Sequence, residues 1–303
     1  MSDIAIECSA TDRANELLYH YTTVESFLCI ANSGELWASH IRYQNDISEQ
    51  RLIWDQVRAR LRTRLEAGSD NDRGRLLRFQ SLADSPLELD LYILCFSKDG
   101  GDRLSQWRGY GGNAGVAIGF DPIELQKRCS AFTFAMSHNQ PFAMGRAFLL
   151  DEVRYFEPIG DKQSKNIDEQ SRKIIEQSNQ IIDIILDNPD PTVHESRFTP
   201  EEVFSRRIIF SSARLKHKAF QEEKEWRVVI FDLPTDSVRF RTRRSMMIPF
   251  VPFDLGKGQP EWPLIQYVTV GPSPHQTETI EAIKKRLDDR IMIRRSTIPY
   301  RDW

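Results

Sequence analysis

The chain has 303 residues, 40% of them hydrophobic, which is enough to bury a sizeable core and excludes a wholly disordered polypeptide. Forty-one Lys and Arg against 44 Asp and Glu leave a formal charge of −3, so no global field marks nucleic acid or anionic membrane as the partner and any basic patch must be local. Apolar runs such as 92–96 and 181–186 fall far short of the roughly 20 residues of a membrane span, and the acidic start of the chain does not read as an export signal, so a soluble, cytoplasmic protein is expected.

In chain order, the aromatic run 17–22 predicts a strand, and Thr22 or Thr23 then caps a helix carrying Val24, Phe27, Leu28 and Ile30, stopped at Asn32-Ser33-Gly34. A short strand over 35–39 follows. From Ile47 the apolar residues Leu52, Ile53, Val57, Leu61 and Leu65 recur at helical spacing, and a second helical piece covers 75–82. The run 87–97 predicts a strand buried on both faces. The Gly-flanked segment 102–110 reads as a short helix or turn, and 115–120 as another strand. A strand over 148–156 leads to a long helix with Ile174, Ile175, Ile181, Ile182 and Ile185 on one stripe, broken at Asn188-Pro189. Thr199-Pro200-Glu201-Glu202 is a capping box opening a helix that runs to about Leu215. Strands over 225–231, 238–250 and 264–271, a helix over 277–289 and a strand over 291–296 complete the pattern. No repeat or linker divides the chain, so the expectation is one α+β domain over 1–303, with a mixed or split sheet and helical insertions at about 47–86 and 160–215.

Several site signatures are missing. There is no phosphate-binding G-x-x-x-x-G-K-[ST], no G-x-S-x-G, no H-E-x-x-H and no G-x-G-x-x-G between strand and helix. Cys8, Cys29, Cys95 and Cys129 are scattered without ligand spacing, so no zinc site is expected, and Cys29 and Cys95 read as small core residues. What remains is polar residues at the ends of apolar segments. His20 and Thr22 share one face of the first strand, with Tyr21 on the other. Ser39 precedes the loop Asn45-Asp46-x-x-Glu49, where an N-cap is the competing explanation. Trp107, Arg108 and Tyr110 can form a stacking lid over a planar ligand, or Trp107 can simply anchor the turn to the core. Glu223, Glu225 and Arg227 share a strand face, either as a solvated ion pair or as carboxylates facing a centre where positive charge develops.

Tyr19-His20-Tyr21-Thr22, Asn45-Asp46-x-x-Glu49, Cys95-Phe96-Ser97, Leu104-Ser105-x-Trp107-Arg108-x-Tyr110-Gly111, Glu223-x-Glu225-Trp226-Arg227 and Ser296-x-Ile298-Pro299-Tyr300-Arg301 together resemble a bacterial family catalogued as domain of unknown function 2971. That resemblance implies no activity. More distantly, the order His20, Ser39, Glu225 resembles ADP-ribosyltransferases, split-sheet α+β folds in which a first-strand His holds a ribose hydroxyl of NAD, an aromatic stacks on nicotinamide and a later Glu faces the nicotinamide ribose. The resemblance implies His20, Thr22, Ser39, Tyr43, Trp107, Arg108 and Tyr110 as NAD-binding candidates, with Tyr43 or Tyr110 supplying the stacking ring, and Glu225 with Glu223 as the catalytic acids.

The leading expectation is therefore an NAD-consuming enzyme that transfers ADP-ribose to protein or nucleic acid, or hydrolyses NAD, of a type that would suit a toxin or an antiviral defence effector. One alternative is a nucleic-acid-binding or nucleic-acid-processing protein using Arg206, Arg207, Arg214, Lys216, Lys218, Arg241, Arg243, Arg244, Lys284, Lys285, Arg286, Arg294 and Arg295 as a phosphate-facing stripe. Another is a non-catalytic ligand sensor built on the Trp107 segment.

Overall fold

The structure is a computed structural model and describes residues 14–44, 48–67, 70–85, 90–112, 114–139, 147–156, 180, 182–187, 198–231, 233, 235–243, 245–256 and 264–299. The Asn45-Asp46 loop, Cys8, the isoleucines 174, 175 and 181, the Asn188-Pro189 breaker, Arg244 and Tyr300-Arg301 lie outside the described residues, as do residues 160–179 and 188–197 of the insertion expected over 160–215.

The fold is mixed α/β around a mostly antiparallel sheet. Its strands are β1 (Leu18–Thr23), β2 (Glu35–His40), β3 (Leu91–Ser97), β4 (Gly115–Phe120), β5 (Ala147–Glu152), β8 (Glu225–Phe231), β9 (Arg239–Arg243), β10 (Met246–Asp254), β11 (Ile265–Val270) and β12 (Met292–Arg295); β6 (Arg154–Phe156) and β7 (Leu215–His217) form a separate parallel pair. The main path runs β12-β11-β4-β1-β3-β2-β10-β9, only β11 and β12 being parallel, with β8 joining β3 to β5.

β3 is where this sheet forks. One of its edges is filled by β8 along its whole length, from Leu91↔Phe231 to Ser97↔Glu225. The other edge serves two strands in turn: β2 at Ser39↔Ile93 and His40↔Tyr92, and β1 at Tyr19↔Ser97 alone. Between Ile93 and Ser97, about 13 Å of strand at 3.3 Å per residue, β1 and β2 diverge and leave an opening on the β3 edge.

Helices cover both faces. α1 (Val24–Ser33), α4 (Pro122–Asn139) and α6 (Gln276–Arg286) place Phe27, Ile30, Leu125, Cys129 and Ile283 against Leu18, Leu94, Phe96, Ile118 and Val228. On the opposite face α2 (Ser48–Ala67), α3 (Asp70–Asp84), α5 (Pro200–Ser212) and the helical residues 182–187 pack Val57, Leu61, Phe79, Ile182, Phe204 and Ile208 beneath Leu91, Ile93 and Val229. The expected helical excursion near 47–86 is thus a helix pair whose apolar side closes one half of the sheet. Phe79 and Phe204 stack with centroids 4.3 Å apart. The capping box at Thr199 is made in both directions, a contact of the kind that contributes about 1 kcal/mol.

Two readings change. The single strand expected over 238–250 is a hairpin, β9 and β10, because the chain folds back so that Met246 pairs with Arg243. Cys29 lies on the solvent side of α1, whose inward side is Phe27, Ile30 and Ala31, so it is not a core residue, whereas Cys95 is half-buried and Cys129 buried. Among the described residues no helix is long and apolar enough to cross a membrane.

Candidate functional site

The site is built around Cys95, at the open stretch of β3. Antiparallel pairing ends at Tyr19↔Ser97, so the Cys95 carbonyl on that edge receives a side chain in place of a backbone partner: His20 Nδ1 lies 3.0 Å from it. A carbonyl can only accept, so Nδ1 carries the proton and Nε2 keeps its lone pair. Among the described residues Nε2 has no hydrogen-bond partner. Burial lowers the His20 pKa from its usual value, and the neighbouring Arg241 guanidinium pushes it the same way while the Cys95 bond opposes both. At neutral pH the ring is therefore an uncharged acceptor. Its edge rests on Phe96, at 5.9 Å between centroids.

Ser39, on the β2 side of the opening, is buried and accepts a 2.7 Å hydrogen bond from Arg241 Nη2. Arg241 reaches it from β9 across β10 and lies over the Trp37 ring, 5.8 Å from its centroid.

On the other edge of β3, β8 supplies Glu225 and the turn before it Glu223. Glu225 is 4% exposed. Its Oε1 accepts from Arg227 Nε at 2.7 Å, and its Oε2 from Lys216 Nζ at 2.8 Å and Arg227 Nη2 at 3.2 Å. Burial would raise this carboxyl, but Arg227 and Lys216 override it and hold the pKa at about 2, helped by the Cys95 thiol. The small β6–β7 pair exists beside this cluster to supply Lys216 and Tyr155, whose hydroxyl accepts the Glu225 N–H at 2.7 Å. Arg227 is completed by the Ala213 carbonyl at 2.9 Å.

Glu223 is not on the strand. It ends a 3-10 turn over Lys218–Glu223, and the left-handed backbone at Lys224 (φ 44°) turns the chain between it and Glu225. That conformation costs a non-glycine residue about 1–2 kcal/mol. Its effect is that both acids reach one ammonium, Glu223 Oε2 lying 2.7 Å from Lys216 Nζ. The turn is pinned by the Ser97 hydroxyl, which donates to the Glu223 carbonyl. Burial raises the Glu223 pKa against the pull of Lys216. Its Oε1 has no partner among the described residues, so of the two acids Glu223 presents the open oxygen while Glu225 is saturated.

The segment after β3 is a helical turn over Leu104–Gln106 continuing into one π-turn over Trp107–Gly111. Trp107 is 2% exposed. Its indole meets the Tyr21 ring at 4.8 Å, donates to Asp102 Oδ1 at 2.9 Å and lies against Gly115 and Gly271. It anchors the turn and is not positioned as a lid. Tyr110, by contrast, is 37% exposed, yet burial and the charges of Glu223, Cys95 and Glu225 raise its pKa. Single π-turns of this kind are frequent at functional sites.

The structure thus brings His20, Ser39, Tyr110, Glu223 and Glu225 to the two edges and one end of β3, with the Cys95 carbonyl bonded to His20 and its thiol to Glu225. Tyr43 sits elsewhere, edge-on to His40 at 5.8 Å, at the Tyr92 end of the strand. Thr22 pairs with Val116 of β4 beyond the fork, and Arg108 is on the exposed side of the π-turn. Lys216 and Arg241 stand out in the sequence only as part of a basic stripe. Three members of that stripe have protein partners: Lys216 is inside the carboxylate cluster, Arg214 pairs with Asp151 at 2.7 Å, and Arg294 bonds Thr269 Oγ1 and the Gly100 carbonyl. Among the described residues no group of three or more His, Cys, Asp or Glu side chains is placed to hold a metal ion.

No curated protein and no solved structure matches the chain. The stretch from residue 106 to residue 228, which carries the π-turn, both glutamates and Arg227, matches the model of a family described as "Protein of unknown function (DUF2971)", and over those residues the chain is similar to that family.

Proposed function

We propose that the fork in the sheet is the cleft of an NAD-consuming enzyme, in which the bond between nicotinamide and ribose is broken. The observation that carries this reading is the pair of unused acceptors flanking the Cys95–Ser97 end of β3: His20 Nε2, whose ring is held by the Cys95 carbonyl, on one edge, and Glu223 Oε1, whose backbone is held by Ser97, on the other. The first suits a ribose hydroxyl, which needs an acceptor. The second suits a centre that becomes positive, because an ionised carboxylate in a site of low dielectric stabilises an oxocarbenium-like ribosyl group. Tyr110 is the ring available to stack on nicotinamide. The resemblance to split-sheet ADP-ribosyltransferases supports the same assignment, with one revision: Glu223 faces the substrate and Glu225 positions it by fixing Lys216 and Arg227.

In this scheme the C1′–N bond breaks with both electrons leaving on the nicotinamide nitrogen, which becomes neutral. Water or an acceptor nucleophile then bonds to C1′ and gives its proton to Glu223. Incubation of the full chain with NAD should release nicotinamide, and Glu223→Gln should abolish that release while melting close to wild type. Intact NAD and no ADP-ribose transfer across protein and nucleic-acid acceptors would refute the reading.

A further inference from the structure

We propose that Arg241, with Ser39 and Arg243, forms an anion subsite on the β2 side of the fork that takes the diphosphate of a nucleoside-diphosphate ligand. The proposal deepens the reading above and rests on it only for the fork being a ligand cleft. Its basis is a cation without an anion. Arg241 is half-buried, makes no ion pair among the described residues, and its buried Nε–H has no hydrogen-bond partner. The neighbouring Arg239 differs, since it pairs with Glu35 at 3.2 Å.

A guanidinium withdrawn from water without a carboxylate is unfavourable, and an apolar side chain of similar length would cover Trp37 without that cost. What the arginine adds is orientation. Its Nη2–H bond to Ser39 fixes the planar fork, so the remaining N–H groups point in a set direction before any ligand arrives. Arg239, Arg241 and Arg243 alternate with Phe240 and Thr242, so Arg243 lies on the same side of β9, and its charge is felt at Arg241. Two guanidinium groups, one of them pre-aimed, match two linked phosphates.

The neighbouring group fixes the ligand class further. His20 Nε2 accepts a hydroxyl proton, and the Ser39 hydroxyl, having accepted from Arg241, keeps its own hydrogen to donate. An acceptor for O–H beside a cation for phosphate is the complement of a phosphorylated ribose.

The test is calorimetric titration of the full chain with ADP, sodium pyrophosphate, adenosine and a single-stranded oligonucleotide, in wild type, Arg241→Met, Arg241→Lys and Arg243→Met. ADP and pyrophosphate should bind wild type and adenosine should bind far more weakly. Arg241→Met should lose about 10- to 100-fold in ADP affinity, the scale of a hydrogen-bonded charge, with an intermediate loss in Arg241→Lys and a smaller one in Arg243→Met. Without ligand, Arg241→Met should melt no lower than wild type, and a fixed concentration of ADP should raise the melting temperature of wild type more than that of Arg241→Met. Equal ADP affinity in wild type and Arg241→Met, or adenosine binding as tightly as ADP, would overturn the proposal. So would a lowered melting temperature with ADP affinity intact, which would make Arg241 a brace, or Arg241-dependent binding of the oligonucleotide without binding of ADP. If Arg241→Met is unfolded, Arg241→Lys carries the test: undiminished ADP affinity there overturns the fork-geometry argument. ADP binding is read without turnover, so an Arg241-dependent ADP site in a protein that leaves NAD intact would sink the bond-breaking reading alone. Nicotinamide release with an unaltered KM in Arg241→Met would sink the subsite alone.

Discussion

Replacing Glu225 by Gln separates the two glutamates most sharply. The carboxylate is held between Lys216 Nζ at 2.8 Å and Arg227 Nε at 2.7 Å in a site that is 4% exposed. A neutral amide in its place would leave both cations buried beside Glu223 alone, and removing one partner from a buried ionic cluster costs about 3–5 kcal/mol. For a 303-residue chain melting as one unit, the unfolding entropy is about 0.6 kcal/mol/K. The expected drop is therefore about 5–8 °C. Glu223→Gln removes a less buried partner and leaves Lys216 its bond to Glu225, so the cost is about 1 kcal/mol or less, about 2 °C. Thermal melts followed by circular dichroism, run beside a nicotinamide-release assay, should show Glu225→Gln destabilised and Glu223→Gln stable but inactive. Glu225→Gln melting at the wild-type temperature, or Glu223→Gln falling as far as Glu225→Gln, would refute the division of labour between saturated and open carboxylate.

Acid should act through the same cluster. The Glu225 pKa is depressed from 4.5 to about 2, so its contribution to stability is present above pH 4.5 and is lost as pH falls from there toward 2; a urea-denaturation series over that range should show the loss in wild type and its absence in Glu225→Gln. His20 has a lowered pKa, so the unfolded chain takes the proton first, and stability should decline as pH drops below about 6.5, less so in His20→Gln, when midpoints are compared by denaturant titration. Trp107→Ala should cost about 3–5 kcal/mol by loss of a buried anchor, measured by the shift in denaturation midpoint. Gly101→Ala should destabilise by about 2–4 kcal/mol in the same assay, since φ is +74° there and a methyl group would collide with the Tyr19 ring.

Much of the fold is legible because its signals are local. The strand over 115–120 and the strand over 225–231 have the bounds read from the sequence, and the Thr199 capping box opens its helix as expected. Helix α4 is absent from the sequence reading although Asp121 caps it, its Oδ1 accepting the Ile123 N–H at 2.8 Å ahead of Pro122; that Asp-Pro signal is readable. The β9–β10 hairpin escapes the pattern because the sequence between Arg243 and Met246 offers no Asn-Gly or Gly turn to announce a reversal. In the site, His20, Ser39 and Glu225 stand out by residue type and order. Lys216 and Arg241 do not, because a basic residue on a short strand reads as solvated surface until the topology shows what lies across from it. The ranking of Glu223 over Glu225 is out of reach for the same reason: it depends on a left-handed residue at 224 and on a lysine seven residues upstream, neither of which strand alternation encodes.

The three-way pairing of β3 bears on how the protein is made. Its bond from Ser97 to Glu223 spans 126 residues, and β8 cannot seal its far edge until those residues exist. At about 5–20 residues per second of synthesis, β3 would wait about 6–25 s with that edge open. During this interval a nascent chain carries an unpaired, apolar strand of the kind that seeks other partners. Closing so long a loop is also slow, since its entropy is lost before the contacts repay it. The cleft should therefore be among the last features to mature, and folding factors that shield β3 should affect the yield of active protein more than its final stability.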